Sequence, residues 1–128
     1  MSLLNQLRQT LAGAVVIRDW LGEGGNPVPQ TLAESRAAIC VNCPENRQPN
    51  WWDIHKDKIA LAIRKMLAFK NDCEMRVNSE YKIQMCRVCG CCLRLKVWTP
   101  ITHIRDNVPQ EALDKAPDYC WMRGELGQ

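Results

Sequence analysis

The chain has 128 residues and a mass of 14.7 kDa, one domain by length and enough to bury about two-thirds of the surface its extended form would expose. With 46% hydrophobic and 24% charged residues it is neither disordered, collagen-like nor low in complexity, and its departure from the average is eight cysteines. The net charge of +3, from 17 Lys and Arg against 14 Asp and Glu, is too mild to mark a nucleic-acid binder by itself.

From Ser2 to Leu21 the apolar residues Leu3, Leu4, Leu7, Leu11, Ala14 and Val15 recur at steps of three and four, which predicts an amphipathic helix with Ser2 as its cap. Arg18 and Asp19 close the apolar run Leu11 to Ile17. A spanning helix needs roughly 20 apolar residues, so no membrane role is expected. Arg-Asp-Trp-Leu-Gly follows where a signal peptide would carry a small-residue cleavage site, and the chain is read as cytosolic. Gly22, Gly24, Gly25 and Asn26-Pro27-Val28-Pro29 then break the helix. The chain is thereby divided into an N-terminal helical arm over 1–22, a Gly/Pro-rich linker over 23–31 and a main domain over 32–128.

Thr31 and Glu34 have the placement of a capping box, which predicts a short helix from Leu32 toward Ile39 that delivers the chain to Cys40. Trp51 and Trp52 fall in a loop beside Pro49 and Asn50, where one could anchor an interface or, equally, cover a zinc site. Asp53 is a good N-cap for a helix from Ile54 to about Phe69, with Ile59, Ile63, Met66 and Leu67 as its apolar stripe and Lys56, Lys58, Arg64 and Lys65 opposite. No element is expected from Asn71 to Met85. Leu93, Leu95 and Val97 alternate with Arg94 and Lys96, the two-residue period of a half-buried strand that runs to Trp98. Pro109 opens a last short helix.

The cysteines are Cys40, Cys43, Cys73, Cys86, Cys89, Cys91, Cys92 and Cys120. In a reducing compartment such a set points to metal before disulfides. Cys40-x-x-Cys43 and Cys86-x-x-Cys89 are knuckle spacings: a tight turn aims both sulfurs of each pair at one cation about 2.3 Å away. Gly90, directly after the second pair, permits the positive φ such a turn often needs. Two knuckles supply a four-thiolate zinc site, and the residues from Pro44 to Met85 become an insertion carrying the Ile54 to Phe69 helix. Four thiols remain, enough for a second zinc ion or simply for burial in the core. Adjacent Cys91 and Cys92 point to opposite faces of an extended chain, so one is read as a ligand and the other as a small hydrophobe. The expected fold is α+β: a small zinc-ribbon-like core with an inserted helix and an N-terminal amphipathic helix.

The pattern Arg36-x-x-x-Cys40-x-x-Cys43-Pro44, Cys86-x-x-Cys89-Gly90-Cys91-x-Leu93-x-x-Lys96 and Cys120-Trp121 resembles that of small zinc-ribbon-type proteins encoded by bacteriophages and prophages. The likeness runs from about Ala33 to Trp121. It implies a phage origin, with the host cytoplasm or the virion as location, and metal ligation by Cys40, Cys43, Cys86, Cys89, Cys91 and Cys120. Cys73 and Cys92 fall outside the six-cysteine pattern and stand as additional metal candidates. The Pro expected after the last cysteine is absent, and the resemblance implies no reaction.

Other chemistries fit less well. Cys43-Pro44 matches the end of a ferredoxin run without the ferredoxin spacing, and a thioredoxin-like site would have a strand, not a helix, before its Cys-x-x-Cys. A hydrolytic zinc site would need a ligand-spaced His, and neither His55 nor His103 has that spacing. The chain is therefore expected not to be an enzyme. Nucleic-acid binding would use Arg94 and Lys96 on one strand face, Arg87 and Arg105 nearby, and stacking on Trp98. The favoured expectation is a protein-interaction module, a minor virion component or assembly factor, that uses the N-terminal helix to dock on other phage structural proteins or on its own copy. The alternative is that this helix folds back on its own core.

Overall fold

The computed structural model describes residues 3–127, and for residues 3–10 and 12 the backbone alone. The expected cap Ser2 and the side chains of Leu3, Leu4 and Leu7 lie outside the described residues. The elements in chain order are α1 (Leu3–Gly22), α2 (Gln30–Val41), β1 (Asn46–Arg47), α3 (Trp51–Lys70), a 3-10 turn (Glu80–Lys82), β2 (Met85–Cys86), α4 (Leu93–Lys96), α5 (Ile101–Asn107), α6 (Gln110–Asp114) and α7 (Trp121–Glu125). Helices with a small two-stranded sheet agree with the α+β expectation at that coarse level. Among the described residues, no helix is long and apolar enough to cross a membrane.

α1 has the expected span but turns an unexpected face inward. Val16 and Trp20, one turn apart, are buried, whereas Leu11 is 66% and Val15 39% exposed. Trp20 is among the largest fully buried side chains, and its Nε1 donates to the Asn26 carbonyl at 2.8 Å, so burying this face leaves no orphaned donor. Gly25, at a φ of 66°, turns the chain against α3 so closely that a Cβ there would lie 2.6 Å from Leu67 Cδ2. α1 thus folds back on the chain's own core.

α2 forms where expected, without the Thr31–Glu34 capping box. Pro29 is its N-cap, with no side-chain cap, and Glu34 instead accepts from Gln30 Nε2 at 2.9 Å and from the Asn78 backbone N–H at 2.8 Å. Its buried face is Ala33, Arg36, Ala37 and Cys40, the spacing of one helical stripe, and the small alanines let the core approach closely.

α3 begins three residues before the expected start, so Trp51 and Trp52 stand in its first turn and not in a loop. Asn50 is the N-cap and Asp53 the third residue of a full capping box: Asp53 N–H donates to Asn50 Oδ1 at 2.9 Å and Asn50 N–H to Asp53 Oδ2 at 3.2 Å. Ala60 and Leu67 are buried and Ile63 half-buried, while Ile59 and Met66, assigned to the stripe, are 62% and 54% exposed. Burial pushes the Asp53 carboxyl up, but hydrogen bonds from Arg47 and the Asn50 backbone outweigh it and hold it below the usual carboxylate range. A carboxyl lowered by folding stabilises the fold above its unfolded pKa and loses that contribution as pH falls through the folded value. N50A is expected to cost about 1 kcal/mol in urea denaturation at neutral pH, and this loss should shrink on acidification once Asp53 protonates and its half of the box weakens.

The expected strand Leu93 to Trp98 is not formed. Residues 93–96 are the helical turn α4, with Lys96 N–H donating to Cys92 O at 3.0 Å and Val97 N–H to Leu93 O at 3.1 Å. The alternation was misleading because the segment has no wet face: Leu93, Leu95, Lys96, Val97, Trp98 and Thr99 are all buried. A segment enclosed on every side need not show its backbone period in its sequence. The strand that does form is β2, in the region without an expected element. It pairs antiparallel with β1, Asn46 opposite Cys86 and Arg47 opposite Met85, and Met85 also bridges to Cys92.

Candidate metal centre

β1 follows the first knuckle and β2 opens into the second, so their pairing brings together cysteines that are distant in sequence. In the first knuckle Cys43 N–H donates to Cys40 O at 3.1 Å, and Asn46 N–H to Cys43 O at 3.0 Å. In the second, Gly90 N–H donates to Cys86 O at 2.7 Å and Cys86 N–H to Cys91 O at 3.0 Å. Gly90 has a φ of 70°, the left-handed conformation its position after Cys89 predicts. The third segment is Cys120, delivered by the turn before α7.

Cys40, Cys43, Cys86 and Cys120 line a small cavity of about 20 Å³, closed by Lys96 and Trp121 among others. That is room for one sphere the size of a water molecule. Cys89 lies beside Cys86 and Cys91 beside Cys89, and Lys96 Nζ donates to Cys89 Sγ at 2.7 Å. Trp121 Nε1 donates to Cys40 Sγ at 3.3 Å. Donors aimed at sulfur favour the thiolate over the thiol.

Burial works the other way. It pushes the Cys40 thiol up to about 12 and raises Cys120. Cys86 is raised by its hydrogen bond with Cys89 and then by burial. Cys91 is lowered to about 7 by the hydrogen bond from Cys89. Without a cation most of this cluster is protonated; a coordinated thiol is deprotonated outright.

Soft sulfurs from three segments, buried or half-buried around a small cavity, fit a thiophilic ion such as zinc. The sulfurs are nonetheless spread more widely than in a closed site. Around a tetrahedral zinc, sulfurs would sit about 3.8 Å apart. Among the described residues, the one set of three His, Cys, Asp or Glu ligand atoms mutually within 4.8 Å is Asp19, Glu23 and His103. That trio is already engaged without an ion: buried His103 presents Nδ1 to Asp19 at 2.8 Å and Nε2 to Glu23 at 3.5 Å, which ties α5 to α1. His103 is thus a satisfied residue, and His55 is an exposed one with its ring edge-on to Trp51.

The two additional candidates stand apart. Cys73 is exposed just past the end of α3. Cys92 donates to Asp57 Oδ1 at 2.9 Å, and burial followed by that carboxylate pushes it up to about 12.

The basic stripe expected of Arg94 and Lys96 does not exist. Lys96 is 6% exposed and faces the sulfurs, while Arg94 pairs with Asp57 at 2.6 Å. Trp98 is buried and cannot stack on a base. Trp51 is 75% exposed on the α3 surface and Trp52 half-buried, neither lining the cavity.

Arg36 is the structural residue whose role the sequence hides. Its Nε and Nη2 grip Glu125 of α7 at 2.9 and 2.6 Å, its Nη1 donates to the carbonyls of Val97 and Thr99, and its guanidinium lies 4.2 Å from the centre of the Trp121 ring. It thereby fixes Trp121 against Cys40. No protein-family model, curated protein or solved structure matches the chain.

Proposed function

We propose that this is a non-enzymatic, zinc-stabilised phage protein that acts in the host cytoplasm or the virion by binding other proteins, as a minor virion component or assembly factor. One zinc ion is held by thiolates of the six-cysteine cluster, with Cys40, Cys43, Cys86 and Cys120 around the cavity and Cys89 and Cys91 beside them. The core is then zinc-ribbon-like, its two knuckles joined by the β1–β2 ladder and α3 packed on it as an insertion.

The observation that carries the interaction reading is an apolar groove of about 200 Å³ walled by α1 (Ala14, Ile17), α3 (Ile59, Ala60) and the segment 90–99 (Leu95, Thr99). Leu11, Val15, Ile59 and Met66, the residues whose periodicity marks them for burial, are exposed on these two helices. Ile59 itself lines the groove, and exposed apolar residues on both helices suit an amphipathic helix of a partner protein.

The test is capture of partners from infected cells, with and without nuclease, using the unaltered chain and a V15E/I59E variant. Nuclease-resistant capsid or tail proteins that the variant loses, at unchanged circular dichroism, are the expected result. Nuclease-sensitive partners, or capture indifferent to the two substitutions, would overturn the reading. Self-association lost in the variant would identify a second copy as the occupant.

A further inference from the structure

Lys96 is the one lysine of the chain with a buried side chain, 6% exposed, and among the described residues no carboxylate lies within ion-pair distance of its ammonium group. Burying an ammonium without a counter-charge costs several kcal/mol. The groups around Lys96 are sulfurs. Nζ is 2.7 Å from Cys89 Sγ and 5.6 Å from the centre of the Trp121 ring, and it shares a cavity wall with Cys40, Cys43, Cys86 and Cys120.

Sulfurs that ligate zinc do so as thiolates, so a zinc centre would set negative charge beside this buried ammonium, 2.7 Å from Cys89 Sγ. Zinc with four thiolates has a formal charge of minus two, which is itself costly in a buried site. One ammonium halves that charge and supplies an N–H donor to sulfur.

Resting on the zinc reading above, we propose that Lys96 is the positioning and charge-compensating residue of the thiolate centre. It orients Cys89 and neutralises part of the bound complex without ligating the ion. Partners of metal ligands of this kind typically change affinity 10- to 100-fold when removed.

The test compares the unaltered full chain with K96M and K96R. Zinc affinity is read by competition with a chromogenic chelator, and helix content and melting are read on chelated samples. K96M should bind zinc about 10- to 100-fold more weakly, and K96R, which keeps the charge, should recover most of that loss. In chelated samples there is no zinc–thiolate complex to compensate, so K96M should keep the helix content and melting of the unaltered chain. A lysine serving only to pack the core would instead show its loss in the chelated form. Zinc binding by K96M as tight as that of the unaltered chain, or loss of helix in chelated K96M, would overturn the proposal while leaving the zinc reading intact. An unaltered chain that binds no zinc would overturn both.

Discussion

Chelation of the purified protein is expected to unfold the knuckles and the segments they hold while much of the helix content remains. The cluster joins three distant stretches through the first knuckle, the second knuckle and Cys120, whose connecting sheet is only two residues per strand. So short a ladder holds little by itself, and a two-stranded unit is marginal in water. Structural zinc contributes an apparent 10–16 kcal/mol in small thiolate sites, comparable with the 5–15 kcal/mol by which a whole domain is stable. α1 and α5, in contrast, meet with His103 and Asn107 of α5 on Asp19 of α1, contacts that involve no sulfur. C40S and C86S should therefore reproduce the effect of the chelator, with loss of near-ultraviolet dichroism and most far-ultraviolet signal kept. C73S removes an exposed thiol far from the cavity and should stay within about 0.5 kcal/mol of the unaltered chain. Equal effects of C40S and C73S would mean that the cavity sulfurs have no special role.

Replacement of Arg36 has the next largest expected effect. The side chain is 1% exposed, and its donors are committed to Glu125 and to the carbonyls of Val97 and Thr99. R36M fills much of the same space but leaves Glu125 and two carbonyls without their partner. Removal of one member of a buried pair costs about 3–5 kcal/mol. The partial exposure of Glu125, 25% by side chain, lets water recover some of this, so the lower end is expected. R36K should not rescue the loss, because a single ammonium cannot span the two carboxylate oxygens and both carbonyls. The measurement is urea denaturation of the zinc-loaded protein. A cost below about 1 kcal/mol for R36M would show that water replaces the guanidinium.

The parts of this architecture legible in the sequence are those decided by neighbours along the chain. The knuckles, Gly90, α2 and the body of α3 follow from spacings of a few residues. Even there, the cap of α3 was read one role off: Asp53 belongs to the box as its third residue, while Asn50 opens it. Where the outcome depends on distant partners, local pattern fails. Lys96 and Arg94 look like the wet side of a strand, yet the sulfurs draw one inward and Asp57 holds the other. Arg36 meets Val97, Thr99 and Glu125 only in the folded chain. The apolar periodicity of α1 and α3 is real, but Trp20 on α1 and the contact of Leu67 with Gly25 on α3 decide which face is buried. That leaves Leu11, Val15, Ile59 and Met66 outside. The exposed residues are therefore those that periodicity assigns to a core, which is why they are read here as a surface for a partner.

The most direct test is the zinc content of the full chain purified without chelator, determined by elemental analysis against protein concentration. One zinc per chain, falling to near zero in C40S and C86S and unchanged in C73S, is the predicted result. A chain that is folded and free of zinc would contradict the account at its centre.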